Sequence, residues 1–450
     1  MGISWSGVFQ KLFTILLIHH RINMIILSKP LHKIHTKVVM TGSKSYTNRA
    51  LIMASLAKGT SILHNASESE DSRILVEALT KLGVKISRSG NTIKIMGTEK
   101  LHPYSGKISV GDAGTAMRFL TSICALVAGD IILDGSERMR ERPIKVLVDA
   151  LRNLGAHINY QMEEGYPPIR IKGGGMKGGL VSLDGSISSQ YFTSLLMIAP
   201  TFKKGLIIEV VGDQISKSYI DMTIDGMKHF GIDVMNENFK KYLINKDNTY
   251  KATTYLIEGD ASGASYLWGI AALTGGTVIV KNIDPKSAQG DIHFVDILEK
   301  MGCRVIRNEK ESWISVTGSN KLSPITVDMS SMPDTAQTLA VIAAFVPGST
   351  IITGLSTLKI KETNRLQALH DELLKMGMRT EITDDSITIH GGSPKSAMIE
   401  TYKDHRMAMA FALASARLSG MKICDEQVVS KSFPTFWKVL ESFTISSSIQ

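Results

Sequence analysis

The stretch Ser45–Ile62, SYTNRALIMASLAKGTSI, decides the fold. It opens on small polar residues, runs through an apolar helical segment, stops at Gly59 and passes into a β-rich run. A helix ends well on a residue that tolerates the left-handed conformation, and a following Val/Ile/Leu run starts a strand. The same pattern recurs in Thr115–Leu133, Ser189–Ile208, Ala264–Val280, Thr335–Ile352 and His405–Ile423. The closing glycines, Gly59, Gly129, Gly205, Gly276, Gly348 and Gly420, recur every 70–76 residues, longer than common solenoid periods.

A second series interleaves with the first. It reads LTKLG at 79–83, LRNLG at 151–155, MKHFG at 227–231, LEKMG at 298–302 and LLKMG at 373–377. Each is the end of an amphipathic helix, capped by Gly and leading into a strand. A sixth, Trp437–Phe443, lacks the Gly. The unit is strand, helix, strand, helix, strands, repeated six times, which makes the chain α/β.

The 450 residues suggest two or three domains at roughly 100–200 residues each. Hydrophobic residues at 43% and charged residues at 21% exclude a disordered chain or a coiled-coil rod. Three widely spaced cysteines, Cys124, Cys303 and Cys424, argue against a disulfide scaffold or a structural zinc site. The net charge of +9 suits anionic partners, but the charges are spread out. Aromatics at 6% are thin for single-strand stacking, so nucleic acid is not expected as a partner.

Near the start, Leu12–Ile18 is the longest apolar run, far short of the ~20 residues of a spanning helix. Neither a membrane anchor nor a signal peptide is expected, and a cytoplasmic location follows. Residues 1–23 read as an extension outside the core, with Met24 as the functional start.

Polar clusters sit at the starts of the first-series helices. Gly42–Ser45 precedes the first, with Asn48 and Arg49 one turn in. Gly111–Thr115 precedes the second, with Arg118 inside. Ser186–Gln190 opens the third, Pro333-Asp334 the fifth and Asp404-His405-Arg406 the sixth. Helix N-termini carry free N–H groups and partial positive charge, and Arg adds bidentate binding, so several such ends facing one cleft would hold a polyanionic small molecule. Alone, each cluster is equally a capped turn. Gly42–Ser45 is no Walker A loop, and Gly173–Gly175 with Gly178-Gly179 reads as a flexible hairpin or loop. Lys361 and Arg365, four apart with Glu362 beside them, read as one helical face, or as a salt-bridged surface turn. Metal and serine-nucleophile motifs are missing: there is no HExxH and no GxSxG.

Taken in order, eleven strings resemble the 5-enolpyruvylshikimate-3-phosphate (EPSP) synthase family. They include GSKS…NRAL at 42–51, GTAMR at 114–118, RPI at 142–144, DGS…SSQ at 184–190, SK…Y at 216–219, GDAS at 259–262 and QGD at 289–291. PD at 333–334, KET at 361–363, DHRMA at 404–408 and KSFP at 431–434 complete the set. The resemblance implies a two-domain inside-out α/β barrel with three repeats per domain. The discontinuous domain would span 24–42 plus 259–450, the continuous one 43–258, with the active site between them. It implies transfer of the enolpyruvyl group of phosphoenolpyruvate to the 5-hydroxyl of shikimate-3-phosphate, with no metal or organic cofactor and a monomeric protein. Inhibition by glyphosate is implied too, with Gly114 leaving room for it.

By the same resemblance, Lys44, Arg142, Arg365, Arg406 and Lys431 would bind phosphoenolpyruvate, helped by Gly114 and Gln190. Ser45, Arg49, Ser188, Ser189, Ser216, Tyr219 and Lys361 would hold shikimate-3-phosphate, with Lys44 and Gln190 shared. Asp334 would contact the ring hydroxyls and act as base. Glu362 and Lys44 would handle protonation, with His405 assisting. The family often has Asn where Asp112 stands, Pro where Phe119 stands and Asp where Asn364 stands. Two alternatives stand beside this reading. One is a UDP-N-acetylglucosamine enolpyruvyl transferase, which generally carries a Cys in the loop before its Arg-Pro; Gly135–Arg142 has none. The other is an enzyme like RNA-terminal phosphate cyclase.

Overall fold

The computed structural model describes residues 24–27, 31, 33–246 and 248–446. The expected extension, 1–23, lies outside them, as do 28–30 and 32. Among the described residues no helix is long and apolar enough to cross a membrane.

The first-series helices are Lys44–Leu56, Gly114–Leu126, Ser189–Ile198, Ala261–Thr274, Ala336–Ala344 and His405–Ala412. They are buried on nearly all sides; every residue of Ala336–Ala344 and of His405–Ala412 is buried. A helix apolar all round belongs in an interior. The second series is one-sided. Glu70–Lys81 buries Asp71, Ser72, Leu75, Ala78 and Leu79 and turns Glu70, Arg73, Glu77 and Lys81 outward. It begins under Ser69, whose Oγ accepts the Ser72 N–H, and carries Glu70 and Asp71 in its first turn and Lys81 in its last.

Five repeats close on a four-stranded sheet with one common order, and the sixth on a three-stranded sheet. In the second repeat, Gly106–Ser109 pairs parallel with Gly129–Asp134. That strand pairs antiparallel with Ile169–Gly173, which pairs with His157–Tyr160. The inner helix is the crossover between the two parallel strands. Three repeats take a strand from far away. Thr254–Leu256 completes the sheet of Gly59–His64, His35–Val39 that of Thr277–Lys281, and Met24–Leu27 that of Met421–Cys424.

Gly173 corrects one expectation. It ends a strand rather than lying in a flexible loop, and a Cβ there would stand 2.3 Å from the carbonyl oxygens of Cys124 and Val127. The strand crosses the end of its inner helix so closely that only glycine passes. Gly97 and Gly391 meet the same obstacle in their repeats, at Ala54 and Ala343.

The buried apolar residues form two clusters. One draws on residues from Tyr46 to Ile257, the other on Leu31, Ile34 and Met40 together with residues from Ala261 to Phe443. The chain passes between them twice, and the passages pair: Gly42 and Gly259 form an antiparallel bridge. The Ser43 N–H donates to the Glu258 carbonyl at 2.7 Å and the Asp260 N–H to the Thr41 carbonyl at 2.9 Å.

Candidate active site

Five of the six inner helices begin at one cleft between the two cores. Its walls hold Lys44 and Ser45, Gly114 and Thr115, Ser188 to Gln190, Asp334, and His405 and Arg406. The remaining inner helix touches the first through its cap: Asp260 Oδ2 lies 3.4 Å from the Lys44 N–H. The cap residues hold these ends in place. Ser188 Oγ accepts the Gln190 N–H and Asp404 Oδ1 accepts the Arg406 N–H. Ser216 takes a left-handed backbone, φ 51°, which a serine adopts only when its surroundings impose it.

Of the expected site residues, all but Lys431 line the cleft. Lys431 stands behind the wall, donating to the Asp112 carbonyl at 3.0 Å and pairing with Glu362 Oε1 at 3.3 Å. Lys361 and Arg365 do converge, but not on a helical face. Lys361 is extended, the helix begins only at Arg365, and the two meet at Asp334 Oδ1, at 3.9 and 3.0 Å.

Seven Lys and Arg side chains face three carboxylates, Asp71, Asp334 and Glu362, a formal excess of four positive charges. The cations fall into two groups. On one side an ion-pair network ties them down. Arg365 reaches Asp404 at 2.7 Å and Glu362 at 2.8 Å besides Asp334. Arg406 reaches Asp334 at 2.7 Å, and Lys44 reaches Asp71 at 3.1 Å. On the other side Arg49, Arg118 and Arg142 are buried and, among the described residues, pair with no carboxylate. Arg118 donates to the carbonyls of Pro143 and Gly114, and the Arg142 Nε has no partner. A buried cation without a counterion is costly, so these three arginines are placed to receive anions.

The charges shape the titration of the site. Burial alone would raise the Asp334 carboxyl, but Arg406, Lys361 and Arg365 hold it far below the usual range. Burial likewise opposes Glu362, and Lys431, Arg365 and Arg142 overcome it. Both are ionised at neutral pH. Burial, seconded by Lys44 and Arg406, drives His405 well below its usual value, so its ring is neutral. Among the described residues neither ring nitrogen has a hydrogen-bond partner. Burial lowers Arg49 and Arg118 to about 10, which leaves both charged.

Asp71 and Asp404, which fix Lys44 and Arg365, were given no role from the sequence. Their signal is weak: an acidic first turn 26 residues after Lys44, and a cap position beside His405. Arg118 was visible as a residue inside the second helix but had no assigned partner.

A protein-family model described as EPSP synthase (3-phosphoshikimate 1-carboxyvinyltransferase) matches residues 29–440. The chain belongs to the EPSP synthase family. It is 43% identical over 422 residues to a 3-phosphoshikimate 1-carboxyvinyltransferase of Sulfurovum sp. (strain NBC37-1), covering 92% of this chain and 98% of that protein. The enzyme of the same name from Escherichia coli O1:K1 / APEC is 42% identical over 418 residues, covering 92% and 97%. Among solved structures, EPSP synthase from Acinetobacter baumannii superimposes with a TM-score of 0.79 at 26% identity, covering 93% of this chain and 98% of that one. The inside-out α/β architecture of the EPSP synthase family is thus the architecture of this chain, and its inner helix ends supply the cleft.

Proposed function

We propose that this chain transfers the enolpyruvyl group of phosphoenolpyruvate to the 5-hydroxyl of shikimate-3-phosphate, releasing phosphate. The observation that carries the reading is the set of three buried arginines, Arg49, Arg118 and Arg142, without carboxylate partners. The two substrates bring two carboxylates and two phosphates, against an excess of four positive charges in the cleft. The two separate cores and the paired passages at Gly42 and Gly259 support a division into domains 24–42 with 259–450 and 43–258.

In this reading, Lys44, Arg142, Arg365, Arg406 and Lys431 hold phosphoenolpyruvate, with Gly114 and Gln190. Ser45, Arg49, Ser188, Ser189, Ser216, Tyr219 and Lys361 hold shikimate-3-phosphate. Asp334, held ionised by its cationic neighbours, takes the proton of the 5-hydroxyl as that oxygen bonds to C2 of phosphoenolpyruvate. C3 gains a proton and a tetrahedral intermediate forms, its phosphate ringed by cations. The second step reverses the proton transfer: C3 loses a proton, the C2–phosphate oxygen bond breaks and phosphate leaves. Glu362 and Lys44 serve these transfers. Phosphoenolpyruvate draws Lys431, Arg365 and Arg142 toward itself and weakens the field that keeps Glu362 ionised, raising its proton affinity when C3 needs an acid. Neutral His405 accepts or donates a hydrogen bond at the reacting groups without adding charge.

Phosphate release tests the reading. It is expected only when both substrates are present. Release with UDP-N-acetylglucosamine as acceptor instead would overturn it. Cys124, the cysteine nearest in sequence to the Arg142 loop, is fully buried in the helix Gly114–Leu126, which argues against that alternative.

A further inference from the structure

Phe119 is buried in the second inner helix yet lines the cleft. The Arg49 guanidinium carbon lies 5.7 Å from the centre of the Phe119 ring and 5.9 Å from that of Tyr219. Both are within cation–π reach. The guanidinium thus lies within reach of two aromatic rings.

Its edges are held. Nε donates to Thr223 Oγ1 at 2.9 Å, Nη1 to the Ser45 carbonyl at 3.0 Å, and Nη2 to the Tyr219 carbonyl at 3.0 Å and Thr193 Oγ1 at 3.5 Å. Among the described residues four acceptors meet five N–H groups, leaving one on Nη1 for an anion in the cleft. All four acceptors are neutral. The electron-rich faces of the rings then help offset the burial of the charge.

We infer that Phe119 is a positioning residue for Arg49 and thereby sets the affinity for the acceptor substrate, shikimate-3-phosphate. This rests on the assignment of Arg49 to that substrate. Tyr219 has a second task, because its hydroxyl donates to Asp334 at 3.1 Å. Phe119 has no polar atom and acts on Arg49 through its ring alone. A smaller aliphatic side chain would leave the hydrogen bonds in place but let the plane of the guanidinium tilt, misdirecting the one free N–H.

The test is a split between the two substrates. Phe119→Leu is expected to raise the Kd of shikimate-3-phosphate, measured by calorimetry, by about 3- to 30-fold, the range of a partly to fully desolvated cation–π contact. The KM for phosphoenolpyruvate and kcat at saturation should stay within about twofold. Phe119→Tyr, which keeps the ring, should bind near the original affinity. In an Arg49→Gln background the Phe119→Leu change should add nothing. Should the Leu variant fold poorly, Phe119→Met carries the same expectation with less volume lost. A change under twofold, equal losses for both substrates, or an undiminished effect in the Arg49→Gln background would each overturn the inference. If Arg49→Gln alone leaves shikimate-3-phosphate binding intact, the assignment of Arg49 fails and the inference with it. If Arg49→Gln weakens binding and Phe119→Leu does not, only the role of Phe119 fails.

Discussion

Arg406 Nη2 lies 2.7 Å from Asp334 Oδ2, in a cleft that buries the arginine and leaves the carboxylate partly exposed. The pair joins the starts of the fifth and sixth inner helices, 72 residues apart in sequence. The carboxylate is therefore ionised and fixed before substrate arrives, as a base for a neighbouring hydroxyl must be. Asp334→Asn keeps the shape and removes the proton acceptor. It is expected to lower kcat by about 10²–10⁴, with smaller changes in either KM. Steady-state phosphate release measures this, and near-normal turnover would sink the assignment of Asp334 as the base.

A Cβ on Gly114 would stand 2.6–2.8 Å from the guanidinium of Arg142. That obstacle is the far end of a flexible side chain, so Gly114→Ala should fold normally and push Arg142 aside. Arg142 is assigned to phosphoenolpyruvate. The expected result is a rise of about tenfold in the KM for phosphoenolpyruvate, from partial loss of a charge-assisted contact. The Kd of shikimate-3-phosphate in the binary complex should hardly change. Equal losses for both would place the damage elsewhere.

Arg142 is buried and, among the described residues, forms no ion pair, and its Nε has no hydrogen-bond partner, an arrangement that costs stability. Arg142→Met should raise the Tm of the substrate-free protein by about 2–4 °C, since an apolar side chain of similar length replaces an uncompensated charge. The same variant should lose most of its affinity for phosphoenolpyruvate. Scanning calorimetry with and without substrates checks both. A variant less stable than the parent when empty would show that the guanidinium is already compensated.

Glu258 sits where the chain passes between the two cores. Oε1 accepts the Asp284 N–H at 3.1 Å and Oε2 the Ser287 hydroxyl at 2.8 Å. Burial raises its carboxyl to about 7, despite those hydrogen bonds. Below pH of about 4.3 the folded and unfolded chains both hold this proton, and nothing is lost. Between there and pH 7 the unfolded chain releases a proton that the folded one keeps, so stability falls as pH rises, by about 3 kcal/mol in all, then levels off. Glu258→Gln removes that slope. The Tm of the variant minus that of the parent should grow from pH 5 to pH 8. A constant difference would mean the carboxyl titrates alike in both states.

Much of the fold was legible from residues close together in the chain. The helix ending at Gly59 and its five counterparts are local events: an apolar run, a left-handed residue, a β-branched start. Their period showed the sixfold repeat, and the polar clusters at Lys44, Gly114, Ser188, Asp334 and Arg406 marked the helix ends that share the cleft. Gly173 was misread because its constraint comes from two carbonyls some 50 residues away, on a helix the strand crosses. Lys361 was placed on a helical face because spacing alone does not tell where a helix starts; Asn364, whose side chain accepts the Gln367 N–H, starts it.

The sequence by itself determined the repeat, the class of fold, the family and the residues at the helix ends, because helix caps and strand starts depend on neighbours within a few residues. Only the tertiary structure decided that Met24–Leu27, His35–Val39 and Thr254–Leu256 join sheets built far away in the chain. It alone separated the cations that Asp71, Asp334, Glu362 and Asp404 neutralise from Arg49, Arg118 and Arg142, and it alone brought Phe119 and Tyr219 within reach of Arg49. Sheet pairing and charge compensation depend on distances of a few ångströms between residues remote in sequence, and no local pattern encodes those distances.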